Sequence, residues 1–464
     1  MTTSLPSAAA ALTMLLITVP ALQAQSRPAC EPECPLTASE ARADLEYLLE
    51  RVERRHPDPF RHQSRDSWLE STERISATPP CREPSAFFAS MLGLLAGMRD
   101  GHMDAYAPEA WEDTRKVHPI KLVAFPDGVR ITAAAPPYAE IVGARVLALG
   151  GVPVDEALRR LRAIVPSDNE PGKRELLEDY LRMPALLHAL GLAEHLSSGT
   201  MTVESDEPSS PLVVRLHDPG PRTGLPVGPP RRPTPPGWVD ARQGEAGAPW
   251  QRKLDEPYWI GELPELQATF LQLNQIVPGR DGSLTPLAER LRAELARDDI
   301  ERLVVDLRFN RGGDATLYAP VLRAVAGEDK LHRPGGLYVL ISSYTFSAAV
   351  HLAAELERLT HATFVGEPTA APPNHFADAA SFELPHSKIE VETSTLYWQK
   401  SDPRDDRRWI HPDIAAPIEF EHWRADMDPA VASIERDLQN LPSSFPERPS
   451  IRNWTRESQQ PARP

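Results

Sequence analysis

Two stretches of this chain carry residue types whose order suits acyl-transfer chemistry. The first is Leu340-Ile-Ser-Ser-Tyr-Thr-Phe-Ser347-Ala-Ala-Val-His351: an apolar segment, a short polar turn, then an alanine-rich run opening at Ser347. A serine at the start of a helix has two explanations. It caps the helix by accepting a hydrogen bond from a free backbone N–H, or it is a nucleophile placed where the positive helix end and free amides can hold a developing oxyanion. The second stretch is Arg302-Leu-Val-Val-Asp-Leu-Arg-Phe-Asn-Arg-Gly-Gly313, an apolar segment running into a polar turn that ends in two glycines. Such a pair permits positive φ and close backbone approach to a ligand. The N–H of Gly312 or Gly313 could then join that of Ala348 as an oxyanion hole; a plain tight turn accounts for the glycines equally well.

These residues meet only if their elements bring both loops to one place. From Pro257 onward the pattern alternates: strand Ala268–Asn274, helix Leu284–Leu295, strand Arg302–Leu307, helix Leu317–Val325, strand Gly336–Ser342, helix Phe346–Glu357 and strand Ala362–Gly366. This order predicts an α/β fold, a mainly parallel sheet with helices packed on it. In such a sheet both loops emerge at the C-terminal edge, where ligands bind. Upstream, residues 36–115 read as a helical bundle, opened by a Thr37-x-x-Glu40 capping box and stopped near Gly101. Residues 116–216 hold the strands Ile120–Phe125 and Gly128–Ala133, then a strand, a glycine turn and the helix Ala157–Ile164, in the order of a PDZ-like module. A helix over Lys173–Leu192 and strands at Thr200–Ser205 and Pro211–Leu216 follow. Residues 217–250 form a linker, since eight prolines between Pro219 and Pro236 preclude a core there. The α/β core spans 251–425, and 440–464 is a surface tail.

The run Asp306-Leu-Arg-x-Asn-x-Gly-Gly313, with Thr345-x-Ser-Ala-Ala349, Gly366-Glu-Pro-Thr369 and Pro412-Asp-Ile414, resembles the C-terminal-processing (tail-specific) serine peptidases. Asp100-Gly-His102 behind a helical bundle and the PDZ-like segment fall in the same order, so the resemblance runs from about Leu36 to Glu421. It implies a helical N-terminal bundle, a PDZ-like region and a crotonase-like α/β core, an α+β multidomain arrangement with a peptide or protein as substrate. Processing peptidases of this family pair the serine with a lysine about 25 residues later. Here that region reads Glu367-Pro-Thr-Ala-Ala-Pro-Pro-Asn-His-Phe-Ala-Asp378, without one. The chain therefore looks more like the tricorn-core branch, where a histidine from the N-terminal part is the base. His102 occupies that position, and Asp406 matches the orienting carboxylate, with Asp402 and Asp405 as competitors. His375, in the loop that replaces the lysine segment, is the alternative base. His351, four residues beyond Ser347 on one helical face, reads as a packed core histidine, and His361 and His411 as ordinary loop residues. A non-catalytic protein holding a peptide or an apolar ligand on the same fold is the competing reading.

Composition narrows the classes further. A formal net charge of −16 disfavours nucleic acid and anionic lipid as partners. No pattern shows metal-ligand spacing and no glycine-rich phosphate cradle occurs, so neither a metal nor a cofactor is expected. Residues 4–24 are uncharged and end near Ala24, which suits a signal peptide over residues 1–24 and export to the periplasm or medium. No stable membrane span is expected after its removal. Cys30 and Cys34 could close a small disulfide loop in an oxidising compartment, leaving Cys81 over.

Overall fold

The computed structural model describes residues 36–77, 84–204, 211–221, 234–242, 247–253 and 255–441. The expected signal peptide, all three cysteines, most of the proline-rich stretch and nearly all of the tail lie outside them. The first element, α1 (Ala38–Arg55), starts with the expected capping box: Thr37 and Glu40 satisfy each other's backbone amides. It buries Ala41, Leu45, Leu48 and Val52 along one face, against α2 (Arg65–Ala77) and the almost wholly apolar α3 (Pro84–Ala96).

The short strand β1 (Asp104–Tyr106) follows, then an antiparallel sheet of β2 (Ile120–Phe125), β3 (Gly128–Ala134), β4 (Arg145–Leu149), β5 (Gly199–Glu204) and β6 (Leu212–Leu216). Its path runs β3-β4-β5-β6, with β2 paired to β3. Helix α4 (Val154–Arg162) follows β4. The single helix expected over Lys173–Leu192 is two, α5 (Arg174–Tyr180) and α6 (Pro184–Ala189). Pro184 explains the break: it disfavours helical geometry at Met183 and starts the next helix at its first position.

The second half is a six-stranded sheet of β7 (Tyr258–Leu263), β8 (Ala268–Leu273), β9 (Arg302–Asp306), β10 (Leu337–Ile341), β11 (Thr363–Gly366) and, after four short strands, Ile414–Ala415. β7 runs antiparallel at one edge and the remainder are parallel in chain order. The three central strands are buried along their whole length because both faces are covered. Leu303 and Val305 point to the face packed by α7 (Thr285–Leu295), α8 (Ala319–Ala326) and α9 (Ala348–Leu359), whereas Val304 points to the other face, under Ala430 and Ile434 of the last helix. Each fully buried Leu or Val of this kind contributes ~1.5–3 kcal/mol.

The four short strands are β12 (Asn374–Ala377), β13 (Ala380–Glu383), β14 (Glu390–Thr393) and β15 (Leu396–Gln399), with Ile414–Ala415 becoming β16. β12 pairs with β15, and β1 pairs with β14, which pairs with β13. The register Asp104↔Glu392 and Tyr106↔Glu390 stitches the segment just after His102 to the C-terminal half. The last helix, α10 here (Pro429–Asn440), starts with Asp428 accepting from the amides of Ala430 and Val431.

Candidate active site

Ser347 stands between β10 and α9 with φ 51° and ψ −128°, a left-handed-side conformation that side-chain-bearing residues seldom adopt. The capping explanation fails here, since the hydroxyl makes no cap hydrogen bond to α9. Instead Ser347 Oγ lies 2.9 Å from Nε2 of His102, 245 positions away in sequence. A sharp strand-to-helix turn that lifts a strained serine toward a base is the geometry of a nucleophile elbow.

The turn is held from several sides. The Phe346 amide donates to the Asn310 carbonyl (3.0 Å) and the Thr345 hydroxyl to the Leu307 carbonyl (2.8 Å). These bonds join the nucleophile loop to the glycine-pair loop, which adopts the positive φ that it requires: 101° at Gly312 and 131° at Gly313. A Cβ on Gly312 would lie 2.7 Å from Ser347 Cβ and 2.9 Å from the Ala348 nitrogen, so only glycine fits there. The Gly312 amide is already committed, donating to Asn310 Oδ1 at 2.8 Å. Of the three expected oxyanion donors, Gly313 and Ala348 keep amides with no partner among the described residues, and Gly312 supplies shape instead.

His102 follows a tight turn in which Asp100 accepts from its amide (2.8 Å). Asp100 is fully buried and lies 3.0 Å from His56 Nε2. His56 Nδ1 accepts from the Asp58 amide, so Nε2 carries the proton and donates to Asp100. Burial opposes ionisation of Asp100, but hydrogen bonds from His56, Ser394 and the His102 amide hold its carboxyl below the usual range. Asp168, in the loop after α4, accepts from the Gly101 amide at 3.1 Å. Burial and then the negative charge of Asp100 push its carboxyl well up, so one of the two acids is ionised and the other neutral.

Ligand atoms of Asp100, His102 and Asp168 lie within 4.8 Å of one another, near enough for a single cation to bridge. The spacing of residues in sequence gave no sign of that grouping. Asp406, expected to orient the histidine, is exposed and makes no hydrogen bond or ion pair with His102 among the described residues. The physical reason is position: Asp100 is fully buried beside the half-buried His102 and Asp168 is half-buried with it, whereas Asp406 is exposed. Asp402 and Asp405 are committed to Arg404 and Arg407.

The His102 ring lies against Phe346 (centroids 4.4 Å apart) and His375 (5.7 Å, planes 9° apart), which also touch each other (6.4 Å). Its pKa is pushed down to about 3, chiefly by burial, which outweighs the charge of Asp100. It is therefore neutral near pH 7. With the proton on Nδ1, Nε2 is free to accept from Ser347. His375 donates from Nδ1 to the Pro372 carbonyl (2.7 Å) and stacks on both His102 and His351, but bonds to neither Ser347 nor the turn around it. His351 is a buried histidine of α9, as expected. His361 packs edge-on against His332, and His411 sits against Trp409 on the surface.

Three solved structures of CPAF resemble the chain over most of its length. Mature CPAF has a TM-score of 0.55 at 14% identity, covering 86% of this chain and 96% of that one. A serine-to-alanine variant of CPAF has 0.59 at 13%, covering 88% and 99%. The complex of mature CPAF with lactacystin has 0.58 at 13%, covering 86% and 97%. The likeness is one of fold. No protein-family model and no curated protein matches the sequence. Among the described residues, no helix is long and apolar enough to cross a membrane.

Proposed function

We propose that the chain is an exported serine peptidase that cuts peptide bonds through an acyl-enzyme on Ser347, with His102 as base in the manner of the tricorn-core branch. The observation that carries this reading is the 2.9 Å contact of Ser347 Oγ with His102 Nε2, made by a serine that declines to cap its own helix. As Oγ attacks the carbonyl carbon, its proton passes to Nε2 and the carbonyl oxygen takes the negative charge. The free amides of Gly313 and Ala348 are the donors for that oxygen. The positive charge that forms on His102 faces ionised Asp100, so the proton transfer is favoured inside a buried site. His102 then returns the proton to the leaving amine, and water repeats the sequence to release the acyl group.

The CPAF-like fold and the Asp-Leu-Arg-x-Asn-x-Gly-Gly and Thr-x-Ser-Ala motifs support a peptide as substrate. The uncharged stretch at residues 4–24 supports export; sequencing the N-terminus of material from the culture medium or periplasm tests it. The nucleophile is tested by labelling the full chain with a fluorophosphonate and, since CPAF has been solved with lactacystin, by competition with that compound. Ser347→Ala and His102→Ala should abolish labelling with an unchanged melting curve. Asp100→Asn should slow it, since the charge facing the imidazolium is lost, and Asp406→Asn should leave it alone. An unlabelled wild-type chain would overturn the proposal in favour of a ligand-binding protein on this fold.

A further inference from the structure

Helix α1 gives way at His56, where the sequence reads His56-Pro-Asp-Pro-Phe60. A residue before proline is kept out of helical geometry. His56 is accordingly extended, at φ −75° and ψ 131°, while its amide still donates to the Val52 carbonyl (2.9 Å). Prolines on either side of Asp58 fix two more φ angles, so this corner has little freedom. The helix leading into it is moored as well. Asp44, buried within α1, accepts from the amides of His386 and Ser387 (2.9 and 2.7 Å) between β13 and β14. Arg55 donates to the Ser381 carbonyl of β13 (3.0 Å).

The side chain at this corner is only 5% exposed and has both ring nitrogens engaged. A neutral imidazole has one acceptor and one donor. Nδ1 accepts the Asp58 amide (3.1 Å), and Nε2 donates to Oδ2 of Asp100 (3.0 Å). Asp100 Oδ1 in turn accepts the amide of His102 (2.8 Å). One carboxylate thus spans from the end of α1 to the backbone of the base. Phe376 packs on the His56 ring (centroids 4.5 Å apart), and its neighbour His375 lies against His102. A histidine that merely fills the core at a helix end needs a ring of that shape and an acceptor for Asp58. The Nε2 bond to the acid is surplus to that role.

We propose that His56 is a positioning residue, which holds the Asp100 carboxylate in one orientation and through it sets the His102 ring at Ser347. The purpose of that setting rests on the peptidase reading; the setting itself does not. A buried carboxylate is costly unless hydrogen-bonded. The imidazole donor on Oδ2 opposes rotation of the carboxyl, and the moored, proline-flanked corner keeps that donor in place.

The test compares three variants of the full-length chain. His56→Phe keeps a ring against Phe376 and removes both nitrogens. His56→Asn puts an amide near the place of Nδ1, within reach of the Asp58 amide and too short for Asp100. His56→Gln carries the amide out to the place of Nε2 and restores a donor to Asp100. Fluorophosphonate labelling should slow roughly 10²-fold in the Phe and Asn variants and stay near the wild-type rate in the Gln variant. Melting curves check the fold, and Asn against Gln decides if Phe does not fold. Equal slowing of Asn and Gln, or wild-type labelling in Phe or Asn, overturns the proposal. A second readout needs no chemistry at Ser347. In ¹⁵N-histidine spectra, His102 should hold one tautomer, protonated at Nδ1, in the wild type and the Gln variant, and mixed tautomers in the Asn variant. The same single tautomer in all three also overturns the proposal. A wild-type chain that fails to label strikes the peptidase reading instead, and the spectra still decide the role of His56.

Discussion

At Ser347 the backbone is held on the sparsely populated side of φ while the hydroxyl turns away from the helix it introduces. A non-glycine residue in such a conformation costs about 1–3 kcal/mol, which the bonds of Phe346 and Thr345 to the neighbouring loop offset. A stability comparison follows. Ser347→Gly should be more stable than Ser347→Ala by ~1 kcal/mol in urea denaturation, because glycine relaxes the strain and gives back part of the gain as chain entropy. Equal stabilities would mean that the turn is unstrained. The serine and the glycine pair were legible because each stands at a strand end or a helix start, whereas His102 was read from the resemblance to the tricorn-core branch. Asp168 was not: its place depends on the Gly101 amide 67 positions away, and nothing around it marks it out. The commitment of the Gly312 amide was hidden for a related reason, since only the fold shows that the Asn310 side chain is spent on it.

Among the elements, the parallel strands were readable because burial on both faces demands unbroken apolar runs. The antiparallel edge β7 has only partly buried residues over most of its length and carries Gly261 and Glu262, so it gave no such signal. Strands β12 to β15 are four residues each, too short for a period to emerge. Between elements, Glu178 of α5 joins the antiparallel sheet to the nucleophile loop. Its Oε1 accepts from the Ala124 amide of β2 (2.9 Å) and from the Tyr344 hydroxyl (2.6 Å), while Arg174 reaches from the same helix to Ser343 and Glu367. Glu178→Ala should cost roughly 2–4 kcal/mol, since two donors and Arg174 lose a buried acceptor. It should also slow fluorophosphonate labelling, because the loop loses its tether three residues before Ser347. A loss of stability with full labelling kinetics would show that the link is structural only.

The whole molecule should be acid-labile. Burial first of all pushes His102 to about 3, His118 and His375 to about 4 and His351 to about 2. The unfolded chain takes up these protons below about pH 6.5 and the folded chain refuses them, so stability falls as pH drops through that window. Glu178, raised to about 7 by burial, and Asp168, also raised, act oppositely, gaining stability as the pH falls toward the ordinary carboxylate range. The lowered imidazoles outnumber the two raised carboxyls, so the net effect is a loss of stability as the pH falls below about 6.5. Melting curves between pH 7 and pH 4.5 should show the midpoint dropping steadily. A flat profile would mean that water reaches these rings. Labelling should persist down to the pH of unfolding, because His102 stays neutral until then.

The distance in sequence between base and nucleophile has a consequence for the life of the chain before it is complete. His102 and Ser347 are 245 positions apart, and the loop beside Ser347 is anchored through Arg308, which grips Asp306 and, from the start of the last helix, Asp428. A ribosome releases the base early and the serine much later, and the clamp that steadies the glycine-pair loop comes after both. On the peptidase reading proposed above, the growing polypeptide thus holds Ser347 and His102 in separate pieces throughout its synthesis. On that reading, the order of translation itself acts as a safety catch for the half-made chain.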